Sequence, residues 1–222
     1  MTTKSYLQLG LVALLLLLTT GERAPLAGVE GHLGHAYLFD DGGRFVRRID
    51  GVPGEDCIMI CRAGVQEPLV ARFADPVHDP GVLGPSSRLR FVGPDTVRES
   101  LEKTGVLDPA RHGGIKALRY LAKGSSYGGV LDFSRNGKHD IRDELFYVTQ
   151  SDSGELLVHN RYNYGNYLWG ASARELGVPL CLVIIGTHLQ NFFGSQTSRW
   201  HLDSPDDVRS IRAGFYWNGS IR

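Results

Sequence analysis

The stretch Leu156-Leu157-Val158-His159-Asn160-Arg161-Tyr162-Asn163-Tyr164-Gly165-Asn166-Tyr167-Leu168-Trp169 decides how the rest of the chain is read. Its first three residues are apolar, follow a Ser153-Gly154 turn, and read as a strand. Further on, Trp169, Ala173 and Leu176 recur at helical spacing until Gly177-Val178-Pro179 stops them. Between strand and helix lies a polar run with Asn160, Asn163 and Asn166 at every third position, interleaved with His159, Arg161, Tyr162 and Tyr164. A strand end feeding a helix start is a common place for a site, because rigid elements hold a convergent loop. Local structure competes for the same residues: asparagine caps helices, so Asn163 or Asn166 would also serve as the N-cap.

Residues 30–80 read as β-rich. Ala36-Tyr37-Leu38-Phe39 and Arg44–Ile49 flank Asp40-Asp41-Gly42-Gly43 as a hairpin, and Cys57–Cys61 and Leu69–Phe73 supply further strands. The two Asp-Pro steps in Asp75-Pro76-Val77-His78-Asp79-Pro80 make that segment an extended connector. Two helices follow. Thr96 with Glu99 forms a capping box and Gly105 closes the first; Asp108-Pro109 opens the second, with Ile115, Leu118, Leu121 and Ala122 on one face. Val130–Phe133, Leu145–Val148 and Leu156–Val158 read as strands, Leu180–Phe193 as a helix on length, and Ser204-Pro205-Asp206-Asp207 as the capped start of a last helix. The expected class is α+β: an N-terminal β-hairpin region, then a mixed, mainly helical C-terminal domain over residues 88–222 with a short antiparallel sheet.

Residues 1–27 stand apart. Lys4 precedes the ten-residue apolar run Leu9–Leu18, too short for the roughly 20 residues a bilayer core needs, so the segment reads as a signal peptide or, alternatively, an N-terminal anchor. The expected location is secreted or periplasmic, with membrane contact only through this leader. Overall composition is that of a globular chain, 42% hydrophobic and 22% charged. With 24 basic and 24 acidic residues there is no global field to attract nucleic acid or anionic lipid, and no DNA partner is expected. Cys57 and Cys61, on one face of a strand, would lie roughly 13 Å apart, too far to bridge. A bond from either to Cys181 is open, and buried free thiols are the simpler reading.

No Walker loop, Gly-x-Ser-x-Gly elbow, His-Glu-x-x-His or paired Cys-x-x-Cys occurs, and His32-Leu33-Gly34-His35 lacks a third metal ligand. Chemistry therefore falls to side chains near neutral pKa and their neighbours. His159 is the candidate acid or base, with Asp140 or His188 as its partner. Asn160, Asn163, Asn166, Arg161 and Arg212 are candidate substrate-binding residues. No metal or other cofactor is called for.

Two strings resemble a known family. Asn163-Tyr164-Gly165-Asn166-Tyr167-Leu168-Trp169-Gly170-Ala171 with Leu176-Gly177, and Asp206-Asp207-x-x-Ser210-Ile211-Arg212-x-Gly214-Phe215, look like the bacterial toxin 44 family, the polymorphic toxin type 44 domain. The resemblance covers about residues 95–217. It implies an exported antibacterial toxin, ribonuclease activity and a cognate immunity protein as partner. For RNA, His159 would act as base, Asp140 or His188 as acid, and Arg212 as the phosphate cation. The segment from Arg135 to Arg222 holds nine basic and nine acidic residues, so an RNA site would need local clustering, for example of Arg161, Arg199 and Arg212. A cell-envelope hydrolase acting on peptidoglycan and a non-catalytic secreted binding module are the rival classes.

Overall fold

The turn Asp40–Arg44 behaves as its Asp/Gly composition predicts. The Asp40 carboxylate accepts from the Arg44 amide at 2.8 Å, and Gly43 takes a left-handed φ of 73°. Any side chain at Gly43 would overlap the Leu89 carbonyl. Strand β1 (Leu33–Phe39) thereby pairs antiparallel with β2 (Phe45–Pro53). The computed structural model describes residues 33–65, 67–136, 141, 144–151, 153–194 and 204–217. The leader and Asp140, with its neighbours Lys138 and His139, lie outside the described residues, as do His32 and Arg199.

Strands β3 (Cys57–Ile60), β4 (Leu69–Phe73), β5 (Arg88–Phe91), β6 (Leu145–Gln150) and β7 (Leu156–His159) complete one sheet. Its order is β2-β1-β3-β4-β7-β6-β5. The β1–β3, β4–β7 and β5–β6 pairs are parallel; β1–β2, β3–β4 and β6–β7 are antiparallel. An isolated bridge between Arg44 and Arg88 joins the two ends of this order, and the Leu89 amide donates to the Gly43 carbonyl at 2.7 Å. The sheet is therefore curled toward closure.

This corrects the expected fold. There is no separate β-hairpin region followed by a mainly helical domain with a short antiparallel sheet; a single seven-stranded mixed sheet runs through both. The physical reason is that strand patterns are local whereas pairing is not. Phe73 is in register with Val158, a partnership no local periodicity encodes.

Period-two alternation then sorts side chains into two cores. Phe146, Val148 and Val158 join Tyr37, Phe39, Ile58, Ile60 and Phe73 inside the curl. Tyr147, Leu157 and His159 face the other way, into the helical layer. Helix α1 (Asp79–Val82) borders the curl, where the Tyr37 hydroxyl donates to the Pro80 carbonyl at 3.0 Å; the helical layer contains α2 (Pro94–Thr104), a 3₁₀ turn at Pro109–Arg111, α3 (Gly114–Gly124), α4 (Arg161–Glu175), α5 (Leu180–Gly194) and α6 (Pro205–Phe215). Among the described residues no helix is long and apolar enough to cross a membrane.

Several helix ends follow local chemistry. Gly105 is the left-handed C-cap of α2, Asp108 caps the 3₁₀ turn through the Ala110 amide, and Ser204 caps α6 through Asp207. Others depart from it. The N-cap of α2 is Gly93, without a side-chain bond, so Thr96 lies inside the helix and makes no capping box. In α3 the buried residues are Ala117, Leu121 and Gly124, while Ile115 is 66% exposed. Pro109 opens only the short turn, and Gly114 restarts the helix in a new register.

Residues 130–133 are not a strand. They belong to a chain of turns in which the Leu131 amide donates to Gly124 and the Asp132 amide to Gly129. The run Gly124-Ser125-Ser126-Tyr127-Gly128-Gly129 makes that loop, anchored by buried Leu131 and Phe133. Cys57, Cys61 and Cys181 are all free, and Cys61 and Cys181 are exposed rather than buried.

Candidate functional site

His159 ends β7 on its helix-facing side and is 0% exposed. One ring nitrogen meets the Thr149 hydroxyl at 2.8 Å and the other the Ser210 hydroxyl at 3.0 Å. A neutral imidazole offers one donor and one acceptor, and two hydroxyls satisfy both. Burial, with a smaller contribution from the Arg209 charge, pushes its pKa down to about 3. His159 is a structural clasp between β6, β7 and α6, and solvent does not reach it. An acid or base must reach a reacting group, and this imidazole is buried with both nitrogens bonded, so the geometry favours a structural role over the expected one.

The asparagines divide between anchoring and access. Asn160, rather than Asn163 or Asn166, is the N-cap of α4, accepting from the Tyr162 and Asn163 amides at 2.8 and 2.9 Å. Its amide nitrogen also donates to Asp79 at 2.7 Å. Asn163 is buried and donates to Asp206 at 3.3 Å, and Asn166 donates to Asp207. The two strings behind the family resemblance thus lie against each other. Gly170 faces the Ile211 carbonyl and Gly214 the Tyr167 carbonyl so closely that a methyl group at either would overlap the opposing backbone. Glycine permits the approach, and the Asn–Asp pairs fix its register.

The first turn of α4 touches a carboxylate group. Asp79 is 1% exposed, and burial raises its pKa to about 7 against the opposing hydrogen bond from Asn160, with Asp75 and Asp206 adding repulsion. His78 pairs with Asp75 at 2.8 Å, which raises the imidazole pKa.

A cleft of about 360 Å³ opens on the other side of α4. The 125–136 loop contributes Ser125, Asp132, Ser134 and Arg135; α4 contributes Tyr162, Gly165, Asn166 and Trp169; Thr187 and Asp207 complete its polar wall. Trp169 is held by a bond from its indole nitrogen to the Ser125 hydroxyl at 2.6 Å. Asp132 is oriented by the Gly128 amide at 2.8 Å. Near this cleft two guanidinium groups lie over tyrosine rings: Arg135 over Tyr127 at 5.7 Å and Arg161 over Tyr162 at 5.1 Å. Tyr127 is 87% exposed and Tyr162 54% exposed, and the Arg161 Nε donates to the Ser134 carbonyl at 3.0 Å.

Of the residues singled out in the sequence, the structure brings Asn166 into the cleft and places Arg161 on Tyr162 beside it. Arg212 is exposed in the last turn of α6, and His188 is half-buried on α5, next to cleft-lining Thr187. Neither lines the cleft itself. The residues that sequence reasoning missed are Asp132, Arg135, Tyr162 as a cleft wall, and Trp169. For Asp132 and Arg135 the signal was the glycine-serine run before Val130, which marks a loop able to carry functional groups; Tyr162 and Trp169 stand in the asparagine-rich stretch itself.

Comparison with known protein families, with curated proteins and with solved structures returns no match.

Proposed function

We propose that this chain is an exported, toxin-like effector that takes single-stranded RNA in the cleft beside α4, and that its chemistry is ribonucleolytic. The observation that carries this reading is the pairing of exposed tyrosines with arginines around a polar cleft. A tyrosine face and a guanidinium plane are the surfaces on which unstacked bases settle, and the same guanidinium neutralises the phosphate that follows. Local clustering of this kind compensates for a chain without net charge.

The roles move with the geometry. Arg135 and Arg161 replace Arg212 as phosphate cations. Asp132 replaces His159 as the proton acceptor from the ribose 2′-hydroxyl, whose oxygen attacks phosphorus while the 5′-oxygen leaves and takes a proton from water admitted by the open cleft. Trp169, Tyr162 and Asn166 bind the base. A cognate immunity protein covering the cleft belongs to the same proposal.

A second reading has its own observation. Asp132 and Asp207 both line the cleft together with Trp169 and Tyr162, which is also the equipment of a sugar site, and peptidoglycan is its natural polymer in the envelope. The experiment runs purified protein against single-stranded RNA and against purified cell wall, beside Asp132→Asn. The proposal expects RNA fragments from wild type, at least a hundredfold fewer from the variant, and no soluble muropeptides. Intact RNA with released muropeptides would replace it by the envelope hydrolase; neither product would leave a binding module.

A further inference from the structure

A second polar group gathers at the start of α4, one helical turn before Asn166, and it is rich in acceptors. Asp75 spends one carboxylate oxygen on the Val77 and His78 amides and the other on the His78 ring. Asp79 receives the Asn160 amide on one oxygen; its other oxygen, buried, has no hydrogen-bond partner. Asn163, also 1% exposed, gives its nitrogen to Asp206, and its amide oxygen is likewise buried without a partner. Among the described residues the ion-pair partner in this group is His78, on Asp75. The nearby guanidinium of Arg209 donates to the Ala74 carbonyl.

Asn160 links Asp79 and Asn163, donating to Asp79 through its side-chain nitrogen and accepting from the Asn163 backbone amide through its side-chain oxygen, and each of the two carries a buried oxygen without a partner. Each such oxygen forfeits its hydration. The donors supplied locally, Asn160 and Asn163, are already committed to Asp79 and Asp206. What such a group lacks is positive charge that can serve several oxygens together. We propose that Asp79, Asn163 and Asp206 form an oxygen-ligand site for a hard divalent cation, of the calcium or magnesium kind. Carboxylate and amide oxygens are the ligands such ions select, and both ions keep water in the remaining positions. Among the described residues no three His, Cys, Asp or Glu side chains are grouped around a metal position; this set is two carboxylates with an amide oxygen. The ion would tie α1, α4 and α6 together at the end of the sheet, adjacent to the cleft but not within it. The site is independent of the RNA reading, and its test contains no nucleic acid.

The test uses the full chain, with calcium chloride or magnesium chloride as probe against sodium chloride of matched ionic strength. Wild type is expected to gain about 5 °C in melting midpoint with one or both divalent ions, and to bind one ion per chain by calorimetry. Asp206→Asn, which alters a partly exposed side chain, should keep the wild-type circular dichroism and bind at least tenfold more weakly. Asp79→Asn should lose the midpoint gain altogether. Neither ion raising the midpoint, or a folded Asp206→Asn binding as wild type does, would overturn the proposal.

Discussion

The two sides of α4 carry the same kinds of side chain and use them differently. Toward the sheet and α6, Asn163, Tyr164 and Tyr167 are buried, and His159 packs against the Tyr167 ring. Tyr164 stacks on Tyr147 at 4.0 Å, and burial raises the hydroxyl pKa values of both Tyr164 and Tyr167. Toward the 125–136 loop, Tyr162, Asn166 and Trp169 face a cleft that water enters. Composition is alike; access is not. A histidine with both nitrogens satisfied stabilises a fold, whereas an exposed tyrosine under a guanidinium is available to a ligand. The lesson is that polar type alone identifies neither side as functional.

The largest effect is expected at the packed side. Gly214→Val would drive a branched side chain into the Tyr167 carbonyl and separate α4 from α6. We expect a loss on the order of 3 kcal/mol or more, read as a collapse of the thermal transition; a melt close to wild type would mean that the two helices are not locked. His159→Leu comes next. It leaves the Thr149 and Ser210 hydroxyls buried without partners, at a cost of about 2 kcal/mol.

The same histidine sets a pH dependence whose sign is fixed. Its folded pKa, about 3, lies below the ordinary value of 6.5. Between those values the unfolded chain binds the additional proton, so the contribution is fully present above about pH 6.5 and is lost as pH falls toward 3. The slope approaches about 1.4 kcal/mol per pH unit below pH 6. Chemical denaturation of wild type and His159→Leu over that range should show this component in wild type only. Equal slopes would show that the imidazole is reachable by solvent.

The open side is predicted to be quieter. Ser125→Ala removes the bond that orients Trp169 and should cost about 1 kcal/mol, with a shift in tryptophan fluorescence. A stability loss as large as that of Gly214→Val would erase the distinction between the two sides.

Much of this contrast was present in the sequence, and some of it could not be. The strands around Ala36–Phe39, Leu69–Phe73 and Leu145–Val148 were legible because alternation is local. So were Gly105, Gly177 and Ser204 as helix ends. The curled sheet was not, since Phe73 beside Val158 and Arg44 beside Arg88 depend on closure over the whole chain. For the site, spacing of the asparagines marked the right helix but not which side of it each would occupy. Asn160, Asn163 and Asn166 advance by three on a helix of 3.6 residues per turn, and that drift carries Asn166 to the cleft while Asn163 stays inside. His159 looked catalytic because it is a lone imidazole in a polar run. Its strand parity, opposite to that of Val158, turns it toward the helices once Val158 is packed inside the curl.

If ligand chemistry resides at the open side of α4 rather than at its buried histidine, RNA affinity must depend on that face. The measurement is the affinity of the full chain for a fluorescent single-stranded RNA, read by anisotropy for wild type and for Arg135→Ala combined with Tyr162→Ala. Loss of one stacking surface and one phosphate cation predicts at least tenfold weaker binding, with a melting midpoint within about 2 °C of wild type. An affinity unchanged in this folded double variant would place RNA binding away from this face.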